Sequence, residues 1–130
     1  MNLKPHGFPK TARILRRNEY LAIQRSSLRV VTENFIIYGR KRRRRVSRIG
    51  ITVSKKVGNA VVRNRVKRLV RESFRLHQTH LPTELDFVLV ARRQRPVQDL
   101  EQAIKQLTEG ADKLSIQFKN RKAKTTNTHA

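Results

Sequence analysis

The segment from Lys55 to Glu72, KKVGNAVVRNRVKRLVRE, restricts what this chain can fold into more than any other part of it. Arg63, Arg65, Lys67, Arg68 and Arg71 fall within nine residues, while Val62, Val66, Leu69, Val70 and Phe74 keep the spacing of one buried helix face. At about 100° per residue, Lys67, Arg71, Asn64, Arg75, Arg68, Glu72 and Arg65 share one continuous arc, and only Arg63 lies near the apolar edge. The spacing predicts a helix with a core side and a cationic ridge. An ordinary solvated face alternates its signs, because like charges four residues apart repel. Arg63, Lys67 and Arg71 break that pattern.

The rest of the composition points the same way. A length of 130 residues suits one domain, and 37% hydrophobic residues suffice for one small core. The net charge of +22, from 31 Lys plus Arg against 9 acids, exceeds what solubility needs and destabilises an isolated compact state by self-repulsion. Nucleic acid, an acidic membrane surface or an acidic protein would relieve it, and a pI of about 11.8 favours nucleic acid. No stretch approaches the roughly 18 apolar residues of a membrane span, and the first ten residues lack the apolar centre of a signal peptide. A cytoplasmic protein with no membrane partner is expected. The absence of cysteine excludes disulfides and thiolate metal sites.

Along the chain, residues 1–13 read as an extended basic arm with Phe8 as an anchor, 14–118 as a single α+β domain, and 119–130 as a basic tail without fixed structure. Asn18 is the expected cap of a short helix running to about Ser26. Segments 34–39 (NFIIYG) and 48–54 (RIGITVS) read as strands and are expected to pair as an antiparallel hairpin across an arginine-loaded connection. Alternation puts Ile49, Ile51 and Val53 on one face and the small residues Gly50, Thr52 and Ser54 on the other, which leaves room for a ligand. The run 86–92 (DFVLVAR) is a strand. Leu100, Ala103, Ile104, Leu107, Ala111 and Leu114 then keep helical spacing, with Gly110 as a weak point. From the residues alone the order is helix, two strands, helix, strand, helix, with the helices on one face of a small mixed sheet.

Candidate catalytic groups are few. His77 and His80 are three residues apart but have no third ligand at suitable spacing, and imidazoles near a helix end commonly meet exposed carbonyls. Glu84 and Asp86 precede a strand and balance local arginine charge. Ser54 and Lys55 are consecutive, so they do not converge as a dyad. Gly58 makes a turn, with Asn59 as the helix cap, and the free amides of that helix start suit an anion. Guanidinium groups bind phosphate through paired N–H donors, so the ridge is the stronger signal. Among the 5% aromatics, Tyr20, Phe35 and Tyr38 are candidate stacking platforms for unpaired bases; Phe35 fits the core, and Tyr38 fits core or cleft equally. The RKRRRR run, 40–45, reads as a flexible loop that seeks phosphate.

The segment GITVSKKVGNAVVRNRVKRLVRESF, 50–74, resembles the signature of the bacterial ribonuclease P protein subunit, in which an RNR helix follows a strand and a KK-x-G turn. The likeness runs from FPK at 8–10 to about residue 115. It implies an α-β-β-β-α-β-α order, one strand more than the residues suggest, with a left-handed β-α-β crossover. It also implies an endoribonuclease whose RNA subunit removes the 5′ leader of precursor tRNA with magnesium at the RNA active site. The polypeptide then has no catalytic residues and no cofactor held by its own ligands. Carried over by position, Lys55, Lys56, Arg63, Asn64, Arg65, Lys67, Arg68 and Arg71 would face the catalytic RNA. Tyr20, Tyr38, Thr52, Ser54 and Val90, flanked by Arg92, would line a cleft for the leader. Gln24 stands where many members carry a second aromatic, and the 40–45 run is unusually basic for the family. A ribosomal or general RNA-binding protein and an independent nuclease are the alternatives.

Overall fold

A computed structural model describes residues 17–25, 28–41, 47–77, 81, 85–93 and 95–128, with the backbone alone from 121 onward. The expected arm 1–13, including Phe8, lies outside the described residues. The elements are α1 (Arg17–Gln24), β1 (Leu28–Val31), β2 (Phe35–Lys41), β3 (Arg48–Thr52), α2 (Ala60–His77), β4 (Leu85–Ala91) and α3 (Leu100–Thr128). Three helices thus accompany a four-stranded mixed sheet in the order β1-β2-β4-β3. Among the described residues no helix is long and apolar enough to cross a membrane.

The sheet is organised around β4, in which every residue except Val90 is buried. A strand apolar on both faces belongs in the middle of a sheet covered on both sides. β4 therefore pairs antiparallel with β2, with Phe35 opposite Ala91 and Tyr38 opposite Val88. On its other edge it pairs parallel with β3, with Ile49 opposite Phe87 and Thr52 opposite Val90. This corrects the expected β2–β3 hairpin: β4 lies between the two strands. The first strand, β1, pairs antiparallel with β2. Its four residues alternate buried and exposed, a pattern too short to stand out in the sequence.

The helices also divide differently from the one-faced arrangement expected. α2 and α3 cover one face, where Phe35, Ile37, Ile49, Phe87 and Leu89 meet Val66, Phe74, Leu107 and Leu114. α1 covers the other, where Ile23 and Val88 are buried together with Tyr20, Tyr38 and Val90 around them. Asn18 lies one residue inside α1, and the helix ends at Gln24. α3 is capped by Asp99, whose Oδ1 accepts from the Gln102 amide at 2.8 Å. It passes Gly110 without a break because the helix there lies on the sheet: a Cβ would come within 2.2 Å of Ile37 Cδ1. It also continues through Thr128, past the expected boundary at Lys119. No Gly or Pro follows Gly110, and Lys, Arg and Ala favour helix.

A buried cation fastens α1 to the sheet. Arg48 donates from Nη2 to Asp86 Oδ2 at 2.8 Å and from Nε to Asp86 Oδ1 at 3.3 Å. Its Nη2 also donates to Glu19 of α1. The hydrogen bond to Asp86 is the main reason that the Arg48 pKa is raised, against the opposing effect of burial. Asp86 therefore balances arginine charge as expected, but from within β4 and not from a preceding turn. Removing one member of a buried pair costs about 3 kcal/mol or more, because the other is left uncompensated. Arg48→Met is expected to lower unfolding stability by about 3 kcal/mol, read from urea denaturation. A loss below about 1 kcal/mol would show that this pair does not hold the layers together.

Candidate nucleic-acid interface

The α2 ridge is set up by the turn before it. Ser54 to Val57 close a tight turn through the Val57 amide and the Ser54 carbonyl at 3.1 Å, which leaves Lys55 and Lys56 exposed at its tip. Gly58 follows because a Cβ there would lie 2.8 Å from Val62. Asn59 then caps the helix as expected, its Oδ1 accepting from the Val62 amide at 3.0 Å. From that start, Val66, Leu69, Val70, Ser73 and Phe74 turn inward. Asn64, Arg65, Arg68 and Arg71 are exposed, and Lys67 and Arg75 are half-buried at the sides.

The members of the ridge are not equivalent. Arg65 Nη2 donates to the Gln98 carbonyl at 2.7 Å, just before α3, so this guanidinium also ties two helices together. Arg75 pairs with Glu72 at 3.1 Å. Arg63 is half-buried at the apolar edge, and its Nε is buried without an acceptor among the described residues. Arg68 and Arg71 have no ion pair among the described residues. His77 ends α2 with Nδ1 facing the Ser73 carbonyl at 3.3 Å, and His80 lies outside the described residues. Arg40 and Lys41, expected in a loop, are the last two residues of β2, and 42–45 are outside the described residues.

A second feature opens beside the ridge. A cavity of about 510 Å³ lies between α1 and β3, lined by Arg17, Tyr20, Leu21, Gln24, Ile51, Thr52, Val53 and Lys67. Tyr20 forms its wall because Gly50 has no side chain: a Cβ would lie 2.7 Å from the tyrosine ring. The Tyr20 hydroxyl accepts from the Ile51 amide at 3.2 Å, on the strand that ends the sheet. Of the expected cleft residues, Tyr20 and Thr52 line the cavity. Tyr38 and Val90 are half-buried on the same sheet face, against the Ile23 and Val88 pair. Ser54 is exposed in the turn. Arg92 points elsewhere, donating to the Thr32 and Glu33 carbonyls at 3.0 and 3.3 Å between β1 and β2. Phe35 is in the core. Arg17, Leu21, Ile51 and Val53 were not foreseen, and Gln24 does reach the cavity. Lys67 belongs to both features, which its place at the end of the ridge arc hinted at.

A small α+β domain that sets a cationic helix next to an open cleft is the class defined by these observations. Residues 8–115 match the ribonuclease P family, and the chain belongs to it. It is 39% identical over 96 residues to the ribonuclease P protein component of Dictyoglomus thermophilum, covering 73% of this chain and 79% of that protein. The corresponding protein component of a Geobacter species is 37% identical over 112 residues, covering 86% and 96%. The solved RNase P protein of Staphylococcus aureus superposes with a TM-score of 0.70 at 32% identity, covering 82% of this chain and 96% of that one. For the Thermotoga maritima RNase P protein the TM-score is 0.69 at 30% identity, covering 76% and 94%.

The cap sets where α2 begins and so where its ridge points. Asn59→Ala is expected to cost about 1 kcal/mol of stability, read as a lowered thermal midpoint, with Asn59→Asp recovering most of it. Equal stabilities for all three proteins would show that the helix start is held by packing alone.

Proposed function

We propose that this chain is the protein subunit of ribonuclease P, and that it assists a catalytic RNA in removing the 5′ leader from precursor tRNA in the cytoplasm. The ridge of α2, with Lys55 and Lys56 at its foot, docks on phosphates of the catalytic RNA. The cavity between α1 and β3 holds the single-stranded leader, with Tyr20 as a stacking wall and Thr52 as a polar contact. Tyr38 and Val90 extend that surface along the sheet. Hydrolysis belongs to the RNA, with magnesium bound there and not by protein ligands. Family membership supports the general role. The observation that carries the division of labour is Lys67, which stands on the ridge and in the cavity wall at once.

If about six phosphates are neutralised, the logarithm of affinity for the catalytic RNA falls with the logarithm of salt at a slope of roughly −4 to −5. Arg68 and Arg71 are the cleanest probes, because neither is in an ion pair among the described residues. Arg68→Glu with Arg71→Glu is expected to abolish leader removal at low magnesium in a reconstituted holoenzyme while the circular dichroism spectrum is unchanged. Full activity of that variant would remove α2 from its proposed role. Cleavage by the protein without any RNA subunit would instead favour an independent nuclease, and failure to support leader removal would favour a general RNA-binding protein.

The cleft is tested separately. Gly50→Ala pushes the Tyr20 ring out of place. It is expected to weaken binding of precursor tRNA to the holoenzyme at least tenfold and binding of leaderless tRNA little, with catalytic RNA affinity retained. Equal weakening of both substrates would place the leader elsewhere.

A further inference from the structure

A second cationic surface lies where β2 ends and α3 leaves the core. Lys41 Nζ sits 5.2 Å from the centroid of the Phe118 ring. Phe118 is half-buried against the main core, so the ring is a fixed platform and not a loose contact. One residue earlier, Gln117 Nε2 donates to the Arg29 carbonyl of β1 at 3.1 Å. One turn before Phe118, Leu114 fills the space over Gly39, where a Cβ would lie 3.1 Å from its Cδ1. These contacts fix Lys41 and Lys119 at one end of the sheet on the α3 side, and Arg40, the residue before Lys41 in β2, reaches the same end from the opposite face; all three are exposed. None of them takes part in an ion pair among the described residues, whereas the nearby Lys113 is already paired with Glu109 at 3.1 Å.

Sequence around this corner is depleted of acid. No Asp or Glu occurs between Glu33 and Glu72, and none follows Asp112. Arg42, Arg43, Arg44 and Arg45 follow Lys41 directly, and Arg121, Lys122 and Lys124 follow Lys119. The α3 backbone stays helical to Thr128, so the positions 121, 122 and 124 lie within about two turns of Lys119. Solubility does not call for such a concentration in a chain already at +22.

We propose that Arg40, Lys41 and Lys119 form a second phosphate-binding surface, which takes a segment of the catalytic RNA other than the one docked on α2. This rests on the function proposed above. The α2 ridge starts well away from this corner: Arg65 touches Gln98 at the start of α3, and Leu100 to Phe118 spans about 27 Å of helix. That exceeds the Debye length of about 8 Å at physiological salt, so the charges at the start of the ridge add little to binding at the corner. The partner chemistry is phosphodiester backbone. Lys41 covers the Phe118 ring, so that ring is not open for stacking, and what the corner presents is charge, which suits sequence-independent contact with phosphates.

The test uses the full chain, with Arg40→Gln, Lys41→Gln and Lys119→Gln combined, and Arg68→Glu with Arg71→Glu as the reference for the α2 ridge. Binding to the catalytic RNA is measured across a salt series. Loss of three phosphate contacts is expected to make the slope shallower by about 2 and, with an unchanged intercept at 1 M salt, to weaken binding roughly 100-fold at 0.1 M. Unchanged slope and affinity in the triple variant, with a clear loss in the α2 variant, would overturn the second surface and leave the proposed function standing. No loss in either variant would overturn both. A defect that appears only when precursor tRNA is present would overturn the assignment to the catalytic RNA. A glutamine variant with an altered thermal midpoint is replaced by Arg40→Lys with Lys119→Arg, which keeps the charge and is expected to bind as the unmodified protein does; loss of binding there would show a structural effect and overturn the proposal.

Discussion

Leu85, Phe87, Leu89 and Ala91 on one side of β4, and Val88 on the other, are all buried, and a strand with two apolar faces is stable only when both are covered. That constraint places β2 and β3 on the two edges of β4 and requires a helix on each face of the sheet. α2 and α3 bring more buried apolar residues, among them Val66, Val70, Phe74, Leu107 and Leu114, and they take the side with Phe35, Ile37 and Ile49. α1 is short and contributes one fully buried residue, Ile23. It covers only part of its face, and the uncovered part beside β3 is the cavity. The cleft is therefore a consequence of an undersized helix over a strand that must be covered.

Charge works against the same architecture unless the few acids are well used. Asp86 and Glu19 both go to Arg48, the one deeply buried cation among the described residues, and so serve to join α1 to the sheet. Glu72 and Glu109 answer Arg75 and Lys113 locally. With 31 cations against 9 acids, the rest of the positive charge cannot be neutralised internally. Concentrating it on α2 raises the repulsion there and also raises what a polyanion gains by docking.

The legible parts of the fold were those decided by local periodicity. α2 could be read to its cap, because Asn59 and the spacing from Val62 to Phe74 are local signals, and β4 was visible as an apolar run. Strand pairing was not, since β2 and β3 look like a hairpin until the competition from β4 is counted. β1 is four residues of alternating burial, which no window of sequence separates from a loop. Gly110 looked like a defect because its role, clearance for Ile37, depends on a residue far away in the chain. The cavity was half legible: Tyr20 stood out as one of few aromatics and Thr52 by its place on the small-residue face of β3, and the resemblance put them in one cleft, but Arg17 and Leu21 enter only through the way α1 lies beside β3.

That arrangement depends on Gly50, and the reason joins the two halves of the site. The Tyr20 ring occupies the space where Gly50 has no side chain, and its hydroxyl takes the Ile51 amide that an edge strand would otherwise leave to water. α1 is thereby drawn toward β3, and the far wall of the resulting cavity is Lys67 of α2. On the proposed reading, the helix that grips the RNA is also one side of the leader's groove. Rigid attachment of α2 to a ribozyme would then fix where the groove points, without any hinge or induced step. A charge pattern that only supplied affinity could sit on any exposed helix; one that also orients a cleft has to sit on the helix that walls it.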